Sequence, residues 1–237
     1  MIDKVVSSVT EGLAGLVRPG SSVAVGGFGP TGVPGLLVAE LRAQGVRDLT
    51  VICCSSTRAD DAGVNPLLLA GQVRHLITSF MGPNPGIKAQ YLGGTLNVEF
   101  VPQGTLAERL RMGGAGIPAF YTPVGAGTVV AQGKPSAVFG GRECILEEAL
   151  VPEVALVRAW KADRAGNLIY RRTARNFNPE VAAAGRVTVA EVEEIVETGT
   201  LDPDSIHTPG IYVQRIVHNP HPVRPYNGQT PMPEVVR

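Results

Sequence analysis

Val23-Ala24-Val25-Gly26-Gly27-Phe28-Gly29-Pro30-Thr31-Gly32-Val33-Pro34 runs directly into Gly35-Leu36-Leu37-Val38-Ala39-Glu40-Leu41. The opening apolar run has the pattern of a buried strand. Four glycines and two prolines then fall between positions 26 and 34, and apolar residues at helical spacing follow. The order is strand, glycine loop, helix. Glycine lets a backbone approach a ligand closely and reach positive φ without a Cβ clash. A loop that feeds a helix N-terminus presents unpaired N–H groups, which suit an anion. The spacing is neither the G-x-G-x-x-G dinucleotide fingerprint nor a P-loop, which needs Gly-Lys-Ser/Thr. On these residues alone, a site for a phosphate-rich ligand and a plain tight turn both fit.

The rest of the chain suits an α/β protein with a mainly parallel sheet flanked by helices. It has 237 residues, zero formal net charge and 18% charged residues. That balance argues against nucleic-acid binding, which leaves a basic footprint. Cys53, Cys54 and Cys144 are too few and too awkwardly spaced for a disulfide framework, so the expected location is cytoplasmic. No cysteine–histidine cluster suggests a metal site. There is no signal-like N-terminus and no apolar run of membrane-spanning length.

Further strands are expected at Ile2–Val6, Asp48–Cys54, His75–Phe80, Leu96–Val101 and Val154–Trp160. Helices are expected after Ser8-x-x-Glu11, a capping box with Val9, Leu13, Leu16 and Val17 on one face, up to Gly45 after the glycine loop, and over Pro66–Ala70. Strands alternating with helices imply βαβ units. Val187–Val196 fits strand or helix, with a strand favoured at least to Glu191. Residues 1–217 read as one domain. The last twenty residues, from His218, hold five prolines and read as an extended arm.

Pro102-Gln103-Gly104-Thr105-Leu106-Ala107-Glu108-Arg109 is the second informative stretch. Thr105-x-x-Glu108 reads as a capping box, which starts a helix just after Gln103-Gly104. Gln103 then lies between a strand end and a helix start, where ligands collect in open α/β sheets. Its side chain either meets a ligand or satisfies loop backbone. Gly113–Thr128 reads as a long uncharged loop, and Val129–Gly141 as a hairpin turning near Gly133-Lys134-Pro135. Arg171, Arg172 and Arg175 fit phosphate binding or surface ion pairs. Glu191, Glu193 and Glu194 fit a base or nucleophile, or more simply a solvated face.

Five blocks, in order, resemble the A subunits of family I CoA-transferases. They are Gly26-Gly27-Phe28-x-x-x-Gly32-x-Pro34, Pro102 to Arg109, Gly114 to Pro123, Asp163 to Tyr170 with Ala174-Arg175-Asn176-Phe177-Asn178-Pro179, and Val189 to Val196 followed by His207 to Val213. The resemblance, strongest to the 3-oxoacid type, implies the CoA-transferase (NagB/RpiA-like) fold. It implies CoA transfer from an acyl-CoA, by default succinyl-CoA, to a 3-oxoacid such as acetoacetate. No cofactor would be held permanently, since coenzyme A arrives as substrate. The nucleophilic glutamate of such enzymes lies on a B subunit, in a Glu-Asn-Gly type motif that this chain lacks. A B-subunit partner is therefore implied, in an α2β2 assembly.

By position, Gly26, Gly27, Phe28, Gly29, Pro30, Thr31 and Gly32 would be the CoA-binding loop. Gln103 would position the substrate or its oxyanion. Cys54, Ser55 and Phe120 would shape the acyl pocket. Two departures stand out. Pro30-Thr31 replace a Leu-Cys type pair, and Cys53-Cys54-Ser55-Ser56 replace an Asn-Asn pair, with Arg58 as a candidate carboxylate contact. A CoA-thioester hydrolase or ring-opening enzyme, and a non-catalytic CoA-binding module, are the alternatives on the same fold.

Overall fold

A computed structural model describes residues 2–57 and 63–221. The chain first winds outward along one half of a sheet. Helix α1 (Val9–Leu13) precedes strand β1 (Ser22–Val25), helix α2 (Gly35–Gln44) and strand β2 (Leu49–Ser55). Helix α3 (Asn65–Leu69), strand β3 (Val73–Phe80), helix α4 (Pro85–Leu92) and strand β4 (Asn97–Phe100) follow. Helix α5 (Gln103–Gly114) leads away to strands β5 (Ala119–Thr122), β6 (Ser136–Phe139) and β7 (Arg142–Glu148), which form a separate antiparallel sheet. The chain returns as β8 (Val154–Asp163), β9 (Leu168–Ile169), α6 (Asn178–Ala184), β10 (Val187–Val196) and β11 (Arg215–His218).

The main sheet has the order β11-β10-β8-β1-β2-β3-β4, with every pair on that path parallel and β9 antiparallel to β8. The direction of winding reverses between β1 and β8. Crevices at such a reversal, outside the carboxyl ends of the strands, are where open α/β sheets bind ligands.

Both faces of the sheet's centre are covered, which explains why Val23–Val25 of β1, Val51–Cys54 of β2 and Val154–Val157 of β8 are consecutive apolar residues rather than alternating ones. Val23 and Val25 join one core with Leu37, Leu41, Leu67 and Ile87 from α2, α3 and α4. Ala24, between them, points into the other core with Leu106 and Leu110 of α5 and Val181 of α6. Cys53 and Cys54 divide in the same way. Among the described residues no helix is long and apolar enough to cross a membrane, and no group of three or more His, Cys, Asp or Glu side chains is placed to hold a metal.

Several expectations need correction. The Ile2–Val6 strand reduces to one bridge, Val5 to Ile216. Helix α1 is capped by Ser8 as expected, with Glu11 N–H donating to its Oγ at 3.1 Å, but it ends at Leu13, before Leu16 and Val17. Helix α4, with Asn84 as its cap, occupies a stretch with no helical signal, because only Ile87 of its eight residues is buried. The capping box at Thr105 does not form. Pro102 supplies the cap position, its carbonyl accepting from Leu106 N–H at 2.8 Å, so α5 begins at Gln103. Thr105 then lies inside the first turn with its hydroxyl buried and unpartnered, and Glu108 pairs with Arg111 at 2.9 Å.

The long loop from Gly113 contains the end of α5 and all of β5. The hairpin joins β6 to β7 and turns at Gly140-Gly141, not at Gly133-Lys134-Pro135. Val187–Val196 is strand throughout. Of its three glutamates only Glu194 is exposed. Glu191 is 2% exposed, Glu193 pairs with Arg158 at 2.9 Å and Glu194 with Lys161 at 2.9 Å. Arg171 lies 4.4 Å over the Trp160 ring and 3.8 Å from Glu193, which commits it to structure. At the C-terminus, β11 runs through His218 and Asn219 is buried. The remainder of the arm, from residue 222, lies outside the described residues.

Candidate active site

A cleft of about 580 Å³ opens at the carboxyl ends of β1, β2 and β3, beside the start of α5. The tip of the glycine loop, Phe28-Gly29-Pro30, forms one wall. Cys54 to Thr57, at the end of β2, form the floor with Ser79 and Phe80 from the end of β3. Gln103, first residue of α5, stands at the edge. None of these described residues carries a formal charge. The walls are apolar and hydroxyl-rich, as in a site that fixes orientation with a few polar groups.

The glycine loop divides into a held part and a presented part. Gly26 N–H donates to Leu156 O at 2.9 Å. A Cβ on Gly26 would lie 2.0 Å from Asn178 Oδ1. That oxygen accepts from Arg158 N–H at 3.0 Å, while Asn178 Nδ2 donates to Gly32 O at 3.0 Å and Ala174 O at 2.9 Å. Gly32 has φ +74°, and a Cβ there would meet Ala174 O at 2.6 Å. Asn176 Nδ2 donates to Thr31 O at 3.0 Å. Phe28 and Thr31 close the loop on each other through paired backbone bonds of 2.9 and 3.0 Å. Gly26, Gly27 and Gly32 therefore press against protein. Gly29 has open space where a Cβ would be, and it lines the cleft with the half-exposed Phe28.

Ser55 fixes the loop tip from below, its Oγ accepting from Gly29 N–H at 3.1 Å. Ser79 Oγ donates to Cys54 O at 2.6 Å and lies 3.7 Å from Cys54 Sγ. Ser56 Oγ accepts from Gly82 N–H at 2.9 Å, and Asn65 Nδ2 donates to Thr57 O at 2.8 Å, so the strand end is pinned up to residue 57. Arg58 lies outside the described residues. Burial pushes the Cys54 thiol pKa up, and that of Cys53 up to about 12. A thiol is nucleophilic as its thiolate, so neither is poised to attack. All three cysteines are free and buried. Native protein titrated with an aromatic disulfide at pH 8 is expected to release little chromophore within minutes, and three equivalents in denaturant. Rapid release from the native state would show that the cleft floor opens.

Gln103 is exposed, and its amide has no hydrogen-bond partner among the described residues. The N–H groups of Gln103, Gly104 and Thr105 also find no acceptor there, and Leu106 N–H makes the first helical bond. An unpaired amide above an open helix N-terminus can receive negative charge.

Of the residues singled out in the sequence, the structure brings Phe28, Gly29, Pro30, Cys54, Ser55 and Gln103 around one cleft. Phe120 is elsewhere. It sits on β5 opposite Glu147, beyond the far end of a 12-residue helix about 18 Å long. Ser79 and Phe80 were not singled out in the sequence, although the strand-end rule applied to β3 as well as β2 points to them; Ser56 was noted only within the Cys53–Ser56 departure.

The Coenzyme A transferase family profile matches residues 6–219. The chain belongs to that family. It is 56% identical over 210 residues to the A subunit of the succinyl-CoA:3-ketoacid coenzyme A transferase of Xanthomonas campestris pv. campestris, covering 89% of this chain and 86% of that protein. The corresponding chain of Bacillus subtilis, named as a probable A subunit of the same transferase, is 54% identical, covering 90% of this chain and 89% of that one. Among solved structures, an acyl-CoA transferase apoenzyme from Escherichia coli O157:H7 superimposes with a TM-score of 0.84 at 24% identity. That match covers 96% of this chain and 49% of the other, so this chain spans about half its length. The likeness establishes a common fold.

Proposed function

We propose that this chain is the A subunit of a two-subunit 3-oxoacid CoA-transferase, taking CoA from succinyl-CoA and delivering it to acetoacetate. The reading rests above all on Gln103, an amide with no partner among the described residues, at the mouth of a cleft whose described lining holds no charged group. Among the described residues such a cleft offers an oxyanion donor and no carboxylate nucleophile. A partner B subunit supplies the nucleophile as a glutamate. The subunit names of the curated relatives and the twofold length of the acyl-CoA transferase support a second half of this kind. We extend this to an α2β2 assembly, since closed symmetric oligomers are the common outcome.

The chemistry is covalent catalysis by a carboxylate. A partner glutamate oxygen attacks the thioester carbonyl, and the carbonyl oxygen becomes an oxyanion. Gln103 Nε2–H donates to that oxyanion as charge develops. The C–S bond breaks, CoA leaves as thiolate, and a mixed anhydride remains. The thiolate attacks the glutamyl carbonyl and expels the donor acid as its carboxylate, which leaves a glutamyl thioester. Acetoacetate reverses both steps and leaves as its CoA thioester. The loop tip, Phe28 to Pro30, holds the acyl-CoA, and the apolar walls keep water from the anhydride and the thioester.

The test is coexpression with a glutamate-bearing B subunit. The copurified complex is expected to exchange CoA between succinyl-CoA and acetoacetate, and to stop when the partner's glutamate becomes glutamine. A stable complex that hydrolyses succinyl-CoA at the same rate with and without acetoacetate would instead identify a thioesterase.

A further inference from the structure

Glu191 is a buried carboxylate that the transfer chemistry leaves unused. It stands on β10, where it pairs across to Arg158 of β8 and to Val217 of β11. Its Oε2 accepts from Leu36 N–H at 2.8 Å and from Leu37 N–H at 3.3 Å. Its Oε1 accepts from Asn219 Nδ2 at 2.8 Å. Leu36 and Leu37 are the second and third residues of α2. Helix first turns need an acceptor for their free N–H groups, and a Ser, Thr, Asp or Asn at the cap normally gives it. Here the cap position is Pro34, which has no side-chain acceptor. Glu191 performs that task from 155 residues away in the chain.

The geometry also fixes the carboxylate. Asn219 follows β11, is 9% exposed, and donates its own N–H to Val192 O at 2.8 Å. The segment that follows the last strand therefore closes over Glu191. On the other side, α2 begins five residues after Pro30, at the downstream end of the loop whose tip walls the cleft. Asn176 and Asn178 bind Thr31 O and Gly32 O, between the tip and α2, and Ser55 holds the tip itself at Gly29 N–H. Leu36 and Leu37 add an anchor where the loop enters α2, beyond the points that these residues hold.

We propose that Glu191 and Asn219 are positioning residues for the substrate loop. The carboxylate fixes the first turn of α2 and through it the placement of Phe28-Gly29-Pro30. Asn219 holds the carboxylate in register. Neither group touches the reacting atoms. The inference rests on the transferase reading only for its kinetic readout.

The experiment uses the full chain in complex with its B subunit, with steady-state kinetics and hydrogen–deuterium exchange measured on the same samples. Glu191→Ala is expected to raise KM for succinyl-CoA about tenfold with kcat changed by less than about threefold, the scale of a lost helix cap. Exchange over residues 28–37 speeds up, most at Leu36 and Leu37. Glu191→Gln keeps a carbonyl oxygen for both N–H groups, and the Asn219 amide can turn its oxygen towards the new NH₂. KM then returns to within about threefold of wild type. Asn219→Ala gives a smaller change of the same kind and serves if Glu191→Ala does not fold. Glu191→Ala with wild-type KM and unchanged exchange would overturn the proposal. So would Glu191→Gln being as impaired in kcat as Glu191→Ala, which would mark a chemical role. If the wild-type complex shows no transfer, the transferase reading fails by itself. The exchange data then decide this proposal alone, with faster exchange at 28–37 supporting it and unchanged exchange refuting it.

Discussion

Gln103→Ala in the assembled enzyme is expected to lower kcat about a hundredfold, with KM for succinyl-CoA little changed. Removing one pre-placed donor from an oxyanion site costs about 10²–10³ in kcat. The argument for such a role is local. Gln103 is the first residue of α5 and is exposed at the cleft edge, and its amide has no partner among the described residues. A side chain with no fold-stabilising bond can be truncated without unfolding the protein, so Tm should stay within a degree or two. The donor meets little charge on the ground-state thioester and full charge on the tetrahedral oxyanion. Its loss therefore falls on kcat rather than on binding. Gln103→Glu should be worse than alanine, because it sets a negative charge beside the oxyanion. Steady-state kinetics on the three proteins decide the matter. A kcat within threefold of wild type for the alanine variant would remove Gln103 from the chemistry.

Gly26→Ala is expected to destabilise the chain by about 3 kcal/mol, through overpacking and lost buried hydrogen bonds. The added methyl would sit 2.0 Å from Asn178 Oδ1 and 2.8 Å from Asn178 Cγ. Asn178 cannot swing aside cheaply, because its carboxamide is fully buried and bonds Arg158 N–H, Gly32 O and Ala174 O. Gly29→Ala provides the contrast. Gly29 has φ +55°, so alanine there is strained by about 1 kcal/mol, but no atom lies within 4 Å of the new methyl. It should fold nearly as well as wild type and act on KM for the acyl-CoA instead. Chemical denaturation gives the first effect and kinetics the second. Equal stability losses for the two variants would show that Asn178 does not brace the loop.

How much of this was legible in the sequence follows from where each signal resides. The buried parallel strands were legible because both faces are covered, which makes consecutive residues apolar at Val23–Val25, Val51–Cys54 and Val154–Val157. The end of α2 was legible at Gly45, which takes φ +67° at the C-cap. Helix α4 was not, because a helix with a single buried residue leaves no periodic pattern. The small sheet was hidden for the same reason, since β6 is largely exposed. At α5 the Thr105 box was misleading, because Pro102 supplies the first carbonyl one turn earlier. The loop tip, Cys54, Ser55 and Gln103 were found because they lie at strand ends or helix starts. Asn178 and Glu191 were noted in the sequence, but not as residues that hold the loop. They act on partners 146 and 155 positions away, a relation no local pattern encodes. Phe120 shows the limit of carrying a role over by resemblance, since β5 lies away from the cleft within this chain.

The most direct measurement of the central claim is intact-protein mass spectrometry of the two-subunit complex after brief exposure to succinyl-CoA without an acceptor acid. The account predicts that a CoA-sized adduct forms on the partner, disappears on adding acetoacetate, and never forms on this chain. A CoA adduct on this chain, on any of its own side chains, would contradict it.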